Sequence, residues 1–295
     1  MPLKPASERT VDGALARRLL RQAGPVVPDA SVLPLRHVAS GWDCDIWRLG
    51  DDLAMRLPRR ALAAPLIRHE ARALPVIAPA LQAVGIRVPL PVFVGEPTAE
   101  YPWPWSIVPY IDGIPGLAVA RAERTPWAEP LARALSALHI PAPADHPVNP
   151  VRGVPLARRA DAVAARFRGF PALGDVAEIW QRGLAAAPWR AAPVWIHGDL
   201  HPGNLIASGG RLEGVIDFGD VTGGDPAYDL AVAWLAFDAR GRGLFVAATG
   251  SRYDSATWVR AHAWAAAVGA LLLSQSDDDP LYRRLAVETL DEITR

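Results

Sequence analysis

Hydrophobic and polar positions fall into two textures along this chain. Residues 11–22 carry apolar positions at helical spacing with Arg17, Arg18 and Arg21 between them, which predicts a surface helix. Strands are predicted over 32–38, 44–49 and 53–57. The first pair is joined by Ser40-Gly41-Trp42-Asp43 and the second by the tight turn Gly50-Asp51-Asp52. A helical stretch over 62–84 is expected to be interrupted near Pro75 and Pro79, because proline lacks the N–H an inner turn needs. Strands over 88–94 and 105–111 close this part. Beyond Gly116 the pattern turns to helices, predicted over 127–139, 157–167, 176–186, 228–237, 254–273 and 280–293. The stretch 141–155 holds five prolines and reads as a loop.

One segment between these helices breaks the pattern. Val194, Trp195 and Ile196 read as a short buried strand, and the polar run from His197 to Asn204 cannot continue it. Leu205-Ile206, a turn at Gly209-Gly210 and a strand over 212–216 follow, delivering Asp217 at a strand end.

Composition narrows the class. A chain of 295 residues buries a large core and is expected to hold two lobes. Hydrophobic content of 51% against 21% charged residues excludes a disordered chain. Lys+Arg and Asp+Glu are both 31, so neither nucleic acid nor an anionic membrane is an expected partner. The single cysteine, Cys44, excludes an intrachain disulfide and a thiolate metal cluster. No long apolar run precedes a cleavage site over 1–18, and the apolar run 263–273 is too short to span a bilayer. A soluble cytoplasmic protein is the expectation.

The polar segment suggests phosphoryl transfer. Asp199 lies in a loop where it can orient a hydroxyl, with the Asn204 amide five residues on and a second carboxylate, Asp217, across the hairpin. Oxygen donors of this kind suit Mg²⁺ carried in on nucleotide phosphates. His197 and His201 do not suggest zinc, because the intervening Gly198 and the following Pro202 oppose a helix presenting both rings.

His197-Gly198-Asp199 with Asn204 resembles the catalytic loop of the aminoglycoside phosphotransferase family, small-molecule relatives of the protein kinases. Ile216-Asp217-Phe218-Gly219 is similar to the metal-binding segment of both groups, and the run from Gly224 to Leu230 also resembles this family. The resemblance implies an α+β, two-lobed kinase-like fold. A small antiparallel-sheet lobe over 1–111 would bind nucleotide, and a larger, mostly helical lobe over 112–295 would hold the catalytic and acceptor sites.

The family's roles carry over position by position. Asp199 would take the proton of the acceptor hydroxyl, while Asn204 and Asp217 would hold Mg²⁺ against the phosphates of ATP or GTP. Arg56 stands where the family commonly has lysine, with Glu70 as its partner; Arg59 and Arg60 are expected to face solvent. Gly41 would bring backbone amides near the phosphates, although Ser40 to Asp43 is not a GxGxxG loop and an ordinary hairpin turn is the alternative. The backbone of Val108 and Tyr110 would meet the base at the hinge, with Pro109 offering no N–H. His197 would support the loop and Asp229 would bond it structurally. Asp220 and Asp238 are candidates for the acceptor site, and the acidic run 277–279 reads as a solvated face.

The acceptor stays open among aminoglycosides, macrolides, other antibiotics and hydroxylated metabolites, as do donor choice and the question of monomer or homodimer. Rival readings are a catalytically weak kinase-like nucleotide-binding protein and a metabolite kinase unrelated to antibiotic resistance. A protein kinase is disfavoured, because the interval from Gly219 to Gly224 has no room for a long activation segment.

Overall fold

The structure, a computed structural model, describes residues 5–276 and 278–295; Asp277, in the acidic run, lies outside them. Helix α1 (Gly13–Leu20) starts where the Asp12 carboxylate accepts the Leu15 N–H at 2.7 Å, an N-cap that satisfies an otherwise orphaned donor. It buries Leu15, Ala16, Leu19 and Leu20 in a core shared with a five-stranded sheet.

That sheet comprises β1 (Leu35–Ser40), β2 (Cys44–Leu49), β3 (Leu53–Pro58), β4 (Phe93–Gly95) and β5 (Trp105–Pro109). Its order is β1-β2-β3-β5-β4, antiparallel throughout. Strand β1 begins later than the pattern over 32–38 suggests. Asp29 takes a left-handed conformation and its carbonyl accepts the N–H groups of Val32 and Leu33, so the chain is still turning there. Strand β4 is only three residues long and keeps just Phe93 and Val94 of the expected 88–94, since Pro89 and Pro91 cannot donate to a ladder. Val88 packs instead in the core of the larger lobe, and Arg87 bridges to Gly214.

Helix α2 (Ala64–Ala83) is not interrupted at Pro75 or Pro79. The two prolines stand four residues apart on its exposed side, so the carbonyls left without an N–H partner face water. The opposite side buries Glu70, Ala73, Leu74, Ile77, Ala78 and Leu81. That burial offsets a cost of about 3 kcal/mol for each interior proline. The second half of α2 belongs to the core of the helical lobe, so the hydrophobic cores do not divide where the chain crosses between lobes near residue 111.

The helical lobe carries two small antiparallel sheets. In the first, β6 (Ile114–Pro115) pairs with β8 (Leu205–Ser208), which pairs with β9 (Arg211–Val215). In the second, β7 (Val194–Ile196) pairs with β10 (Thr222–Gly224). Around them pack α3 (Ala128–Leu138), α4 (Ala160–Arg168) and α5 (Gly174–Ala185). The helix expected over 228–237 is two short pieces, α6 (Ala227–Leu230) and α7 (Val232–Ala236).

Helix α8 (Ala239–Ala248) was not legible from apolar spacing: it buries only Gly241 and Phe245 and contains two glycines. The apolar run 263–273 is the middle of a longer helix, α9 (Ser255–Gln275), before α10 (Pro280–Ile293). By length and composition α9 could cross a membrane. Here 56% of its apolar window is buried, packed on α5, α6 and α10, and it carries the buried pair Arg260–Asp225.

Candidate active site

The site is built where β7 ends. Ile196 is buried, and the chain then turns through Gly198 at φ +82°. A Cβ there would meet the Asp220 carbonyl oxygen at 2.4 Å, so the turn requires glycine. Asp229, at α6, accepts the N–H of His197 at 2.7 Å and of Gly198 at 3.0 Å, and its Oδ2 lies 3.2 Å from His139 Nε2. This fully buried carboxylate fixes the loop by its backbone.

His197 is locked by what both ring nitrogens touch. Nε2 lies 2.9 Å from the Ile216 carbonyl, so it carries the proton and donates. Nδ1 accepts the Asp199 N–H at 3.2 Å, and the ring packs on Phe218 at 4.6 Å between centroids. Neither nitrogen is left to serve as a base towards the cleft.

Asn204 donates from Nδ2 to the Asp199 carbonyl at 2.8 Å, leaving its own amide oxygen as an acceptor. The Ile216 N–H donates to the Asn204 carbonyl at 2.9 Å, which ties the loop to β9 and to Asp217. Asp217 holds a left-handed backbone at φ 65°, ψ 63°, uncommon outside glycine and costing on the order of 1 kcal/mol. Its Oδ1 accepts from Arg56 Nη2 at 2.8 Å, and half of its side chain remains exposed.

Arg56 comes from β3, opposite Ile46 and Ser106, and its other terminal nitrogen is ion-paired with the buried Glu70 of α2. Burial works against the Arg56 charge, but Glu70 and Asp217 outweigh it and hold the guanidinium charged. Glu70 Oε1 is buried without a partner.

The loop between β1 and β2 is tied down by side chains expected in solvent. Arg59 donates to the Gly41 carbonyl at 2.9 Å, and Arg60 pairs with Asp43 at 2.6 Å. Both arginines are largely buried (12% and 15% exposed), because the loop's carbonyl and carboxylate need donors. Gly41 itself donates to the Cys44 carbonyl at 2.7 Å. Burial raises the Asp43 carboxyl, Arg60 opposes the rise, and Asp217 and Asp199 add to it, which places the loop within electrostatic reach of the cleft acids.

At the hinge, Val108 pairs with Ala54 within the sheet. The Tyr110 backbone is already engaged: its N–H donates to the Asp52 carbonyl at 2.7 Å and its carbonyl accepts from Arg87 at 3.2 Å. The β2–β3 turn lies alongside and takes that amide, so Tyr110 offers no free N–H to a base. Its ring lies under Arg48, 4.2 Å from the guanidinium carbon.

The loop 141–155 supplies a residue that the sequence pattern did not single out. Arg152 Nη2 lies 3.0 Å from Asp199 Oδ1 and 3.6 Å from Asp220 Oδ2, while Nη1 donates to the Tyr228 hydroxyl. Asn149 Oδ1 accepts the N–H groups of Val151 and Arg152 at 3.0 Å each, and its Nδ2 donates to Asp220 at 2.7 Å. Burial alone would raise the Asp199 carboxyl, but Arg152 and then His201 outweigh it and hold it well below the usual carboxylate range. Only the Asn149 side chain, able to make a local turn, hinted at an ordered loop.

Asp238 stands apart. It accepts the Gly241 N–H at 2.8 Å and caps α8, making no hydrogen bond or ion pair with the cleft among the described residues. The cleft therefore joins Arg56, Glu70 and Asp217 on one side, and Asp199, Arg152 and Asp220 on the other, with Asn204 between the loop and β9.

Solved structures share this fold. APH(2")-IIia in its GDP and kanamycin complex superposes with a TM-score of 0.67 at 21% identity, over 92% of this chain and 97% of that one. The apoenzyme of macrolide 2'-phosphotransferase MphH from Brachybacterium faecium gives 0.60 at 22% identity, over 93% and 98%. The streptomycin–ATP–APH(2")-IIa ternary complex gives 0.60 at 17%, over 89% and 91%. No curated protein sequence matches the chain. Residues 34–264 match the phosphotransferase enzyme family, and with that match spanning the sheet, the catalytic loop and the Asp217 segment, the chain belongs to the family of the aminoglycoside phosphotransferases.

Proposed function

We propose that this protein transfers the γ-phosphoryl group of ATP or GTP to a hydroxyl of a small molecule, with Mg²⁺ as cofactor. The observation that carries the reading is the placement of Asp199, Asn204 and Asp217 around one cleft, with Asp199 kept ionised and Asn204 bonded to its backbone. Asp199 Oδ2 is the base: it orients the acceptor hydroxyl and accepts its proton as the new P–O bond forms and the bond to the nucleotide's β-phosphate breaks. The ionised state suits that task, since an already protonated carboxyl cannot take up the hydroxyl's proton.

The donor set fits Mg²⁺. Asn204 Oδ1 and the half-exposed Asp217 are hard oxygen donors, and among the described residues no three His, Cys, Asp or Glu side chains form a metal cage. Mg²⁺ is usually held in this way, by one or two carboxylates together with substrate phosphates and water. When bound, the ion neutralises charge on the transferring phosphoryl group. Arg56, held by Glu70, presents a fixed guanidinium to the phosphates, and its planar fork reaches Glu70 and Asp217 from two separate terminal nitrogens. Structural relatives include complexes with GDP and kanamycin and with ATP and streptomycin, and a macrolide 2'-phosphotransferase, which supports a nucleotide donor and a hydroxyl acceptor for this chain too.

The test is a mass-spectrometric screen with ATP or GTP and Mg²⁺ against aminoglycosides, macrolides and hydroxylated metabolites, with Asp199→Asn in parallel. A phosphorylated product made by the parent alone supports the reading. Equal product from both proteins removes Asp199 from the mechanism.

A further inference from the structure

A cavity of about 510 Å³ opens in the helical lobe, and Asn149 and Arg152, which hold the two acids beside the catalytic loop, also line it. Its size lies within the range of about 300–1,000 Å³ typical of small-molecule sites. Away from those two residues its walls include Val154, Leu156, Leu184 and Trp189. Arg152 thus touches Asp199 and is also one of the residues that line this largely apolar chamber.

The charges around it are already matched. A polycationic acceptor needs carboxylates for its ammonium groups, but Asp220 is taken by Arg152 and Asn149, and Asp225 by Arg260. Asp229 is taken by the loop backbone, and Asp238 and Asp279 cap helices. The guanidinium of Arg152 occupies the position beside Asp199 and Asp220 where an acceptor ammonium would pair. An incoming cation would have to displace a charge that is partly buried and already bonded to Asp199, Asp220 and Tyr228. The Arg152 Nε proton has no partner and is buried, so the unmet capacity here is that of a donor.

Resting on the phosphotransferase reading, we infer that the acceptor is an uncharged hydroxylated molecule with an apolar body, seated in this cavity with its hydroxyl presented past Arg152 to Asp199. Arg152 is then a specificity-determining residue that excludes polycations, and the walls at Leu184 and Val154 select an apolar portion.

The test uses the full-length chain, Mg²⁺, ATP or GTP, and two matched pairs of acceptors. Kanamycin and its fully N-acetylated form share hydroxyls and differ in charge; octyl and methyl β-glucoside share a sugar and differ in apolar length. The inference expects kcat/KM at least about tenfold higher for the uncharged and the longer member of each pair, the octyl chain carrying seven more carbons than methyl into the apolar chamber. Leu184→Trp, which fills the chamber, should raise KM for octyl glucoside about tenfold or more with nucleotide affinity unchanged. Arg152→Gln should narrow the preference for the N-acetylated form. Kanamycin turned over as well as its acetylated form, or octyl no better than methyl glucoside, would overturn the inference. If no acceptor is phosphorylated but Mg²⁺-dependent nucleotide hydrolysis occurs and is lost in Asp217→Asn, the phosphotransferase reading stands and this inference falls. If there is no hydrolysis either, both fall.

Discussion

Two arginines, one on each side of the cleft, each hold a pair of acids, and their differences separate rigidity from selectivity. Arg56 stands on a central strand, 11% exposed, with Glu70 at 2% on one side and Asp217 on the other. Arg152 stands on a proline-rich loop, 22% exposed, between Asp199 at 32% and Asp220 at 26%. The first cluster joins the two lobes, since Arg56 and Glu70 belong to the sheet side and Asp217 to the helical side. The second lies wholly within the helical lobe and borders the cavity. On the proposed reading, the first cluster serves the nucleotide and the second, which borders the cavity, serves the acceptor.

The largest effect expected is on Asp199 itself. Asp199→Asn removes the base and should lower kcat by about 10²–10⁴-fold with nucleotide affinity retained, read by steady-state kinetics and calorimetry. A loss of nucleotide binding instead would mean that the two clusters do not divide the labour as described. On the other side, Arg56→Met leaves buried Glu70 without its counter-charge and should cost about 3–5 kcal/mol of stability in chemical denaturation. Arg56→Lys keeps the charge but cannot bridge Glu70 and Asp217 as the fork does, and should cost less. Equal losses for the two variants would show that the bridge contributes nothing.

The second cluster gives a pH signature. With its folded-state carboxyl held below the ordinary value of about 3.9, Asp199 contributes stability that is present above that value and lost as pH falls through the folded one. The parent should therefore show no acid limb from Asp199 in kcat/KM within the ordinary carboxylate range. Arg152→Gln should bring an acid limb upward towards that range and weaken the stabilisation in mildly acidic solution. An unchanged profile would remove Arg152 as the source of the depression. The smallest effect concerns Asp238, outside both clusters. Asp238→Ala should lose about 1 kcal/mol as a missing N-cap, with no change in acceptor KM.

Much of the first cluster could be read from the sequence because its residues sit in regular surroundings. A charge at position 56 between Met55 and Leu57 on a strand demands a partner, and Glu70 on the next helix is its observed one. Asp199 and Asn204 stand out in the sequence because a polar run between two apolar strands has few structural reasons to exist, and Asp217 because it ends the strand after the hairpin. Arg152 was not, because a loop has no periodicity, and only the fold brings it to Asp199. Arg59 and Arg60 were misplaced for the same reason, since their partners Gly41 and Asp43 lie in a turn 18 and 17 residues earlier. The prolines of α2 misled because the rule against inner prolines says nothing about which side faces water. Tyr110 shows the limit at the hinge: whether an amide is free depends on a neighbouring turn that local pattern does not reveal.

The most direct measurement of the central claim follows the transferred group itself. The protein is incubated with Mg²⁺, nucleotide labelled with ¹⁸O in its γ-phosphoryl group, and the charge-matched acceptor pairs, and the label is traced by mass spectrometry. The account predicts a labelled phosphoryl group on an acceptor hydroxyl with the parent protein and its loss with Asp199→Asn. Nucleotide bound in the cleft with no label passing to acceptor or water, at any Mg²⁺ concentration, would contradict it.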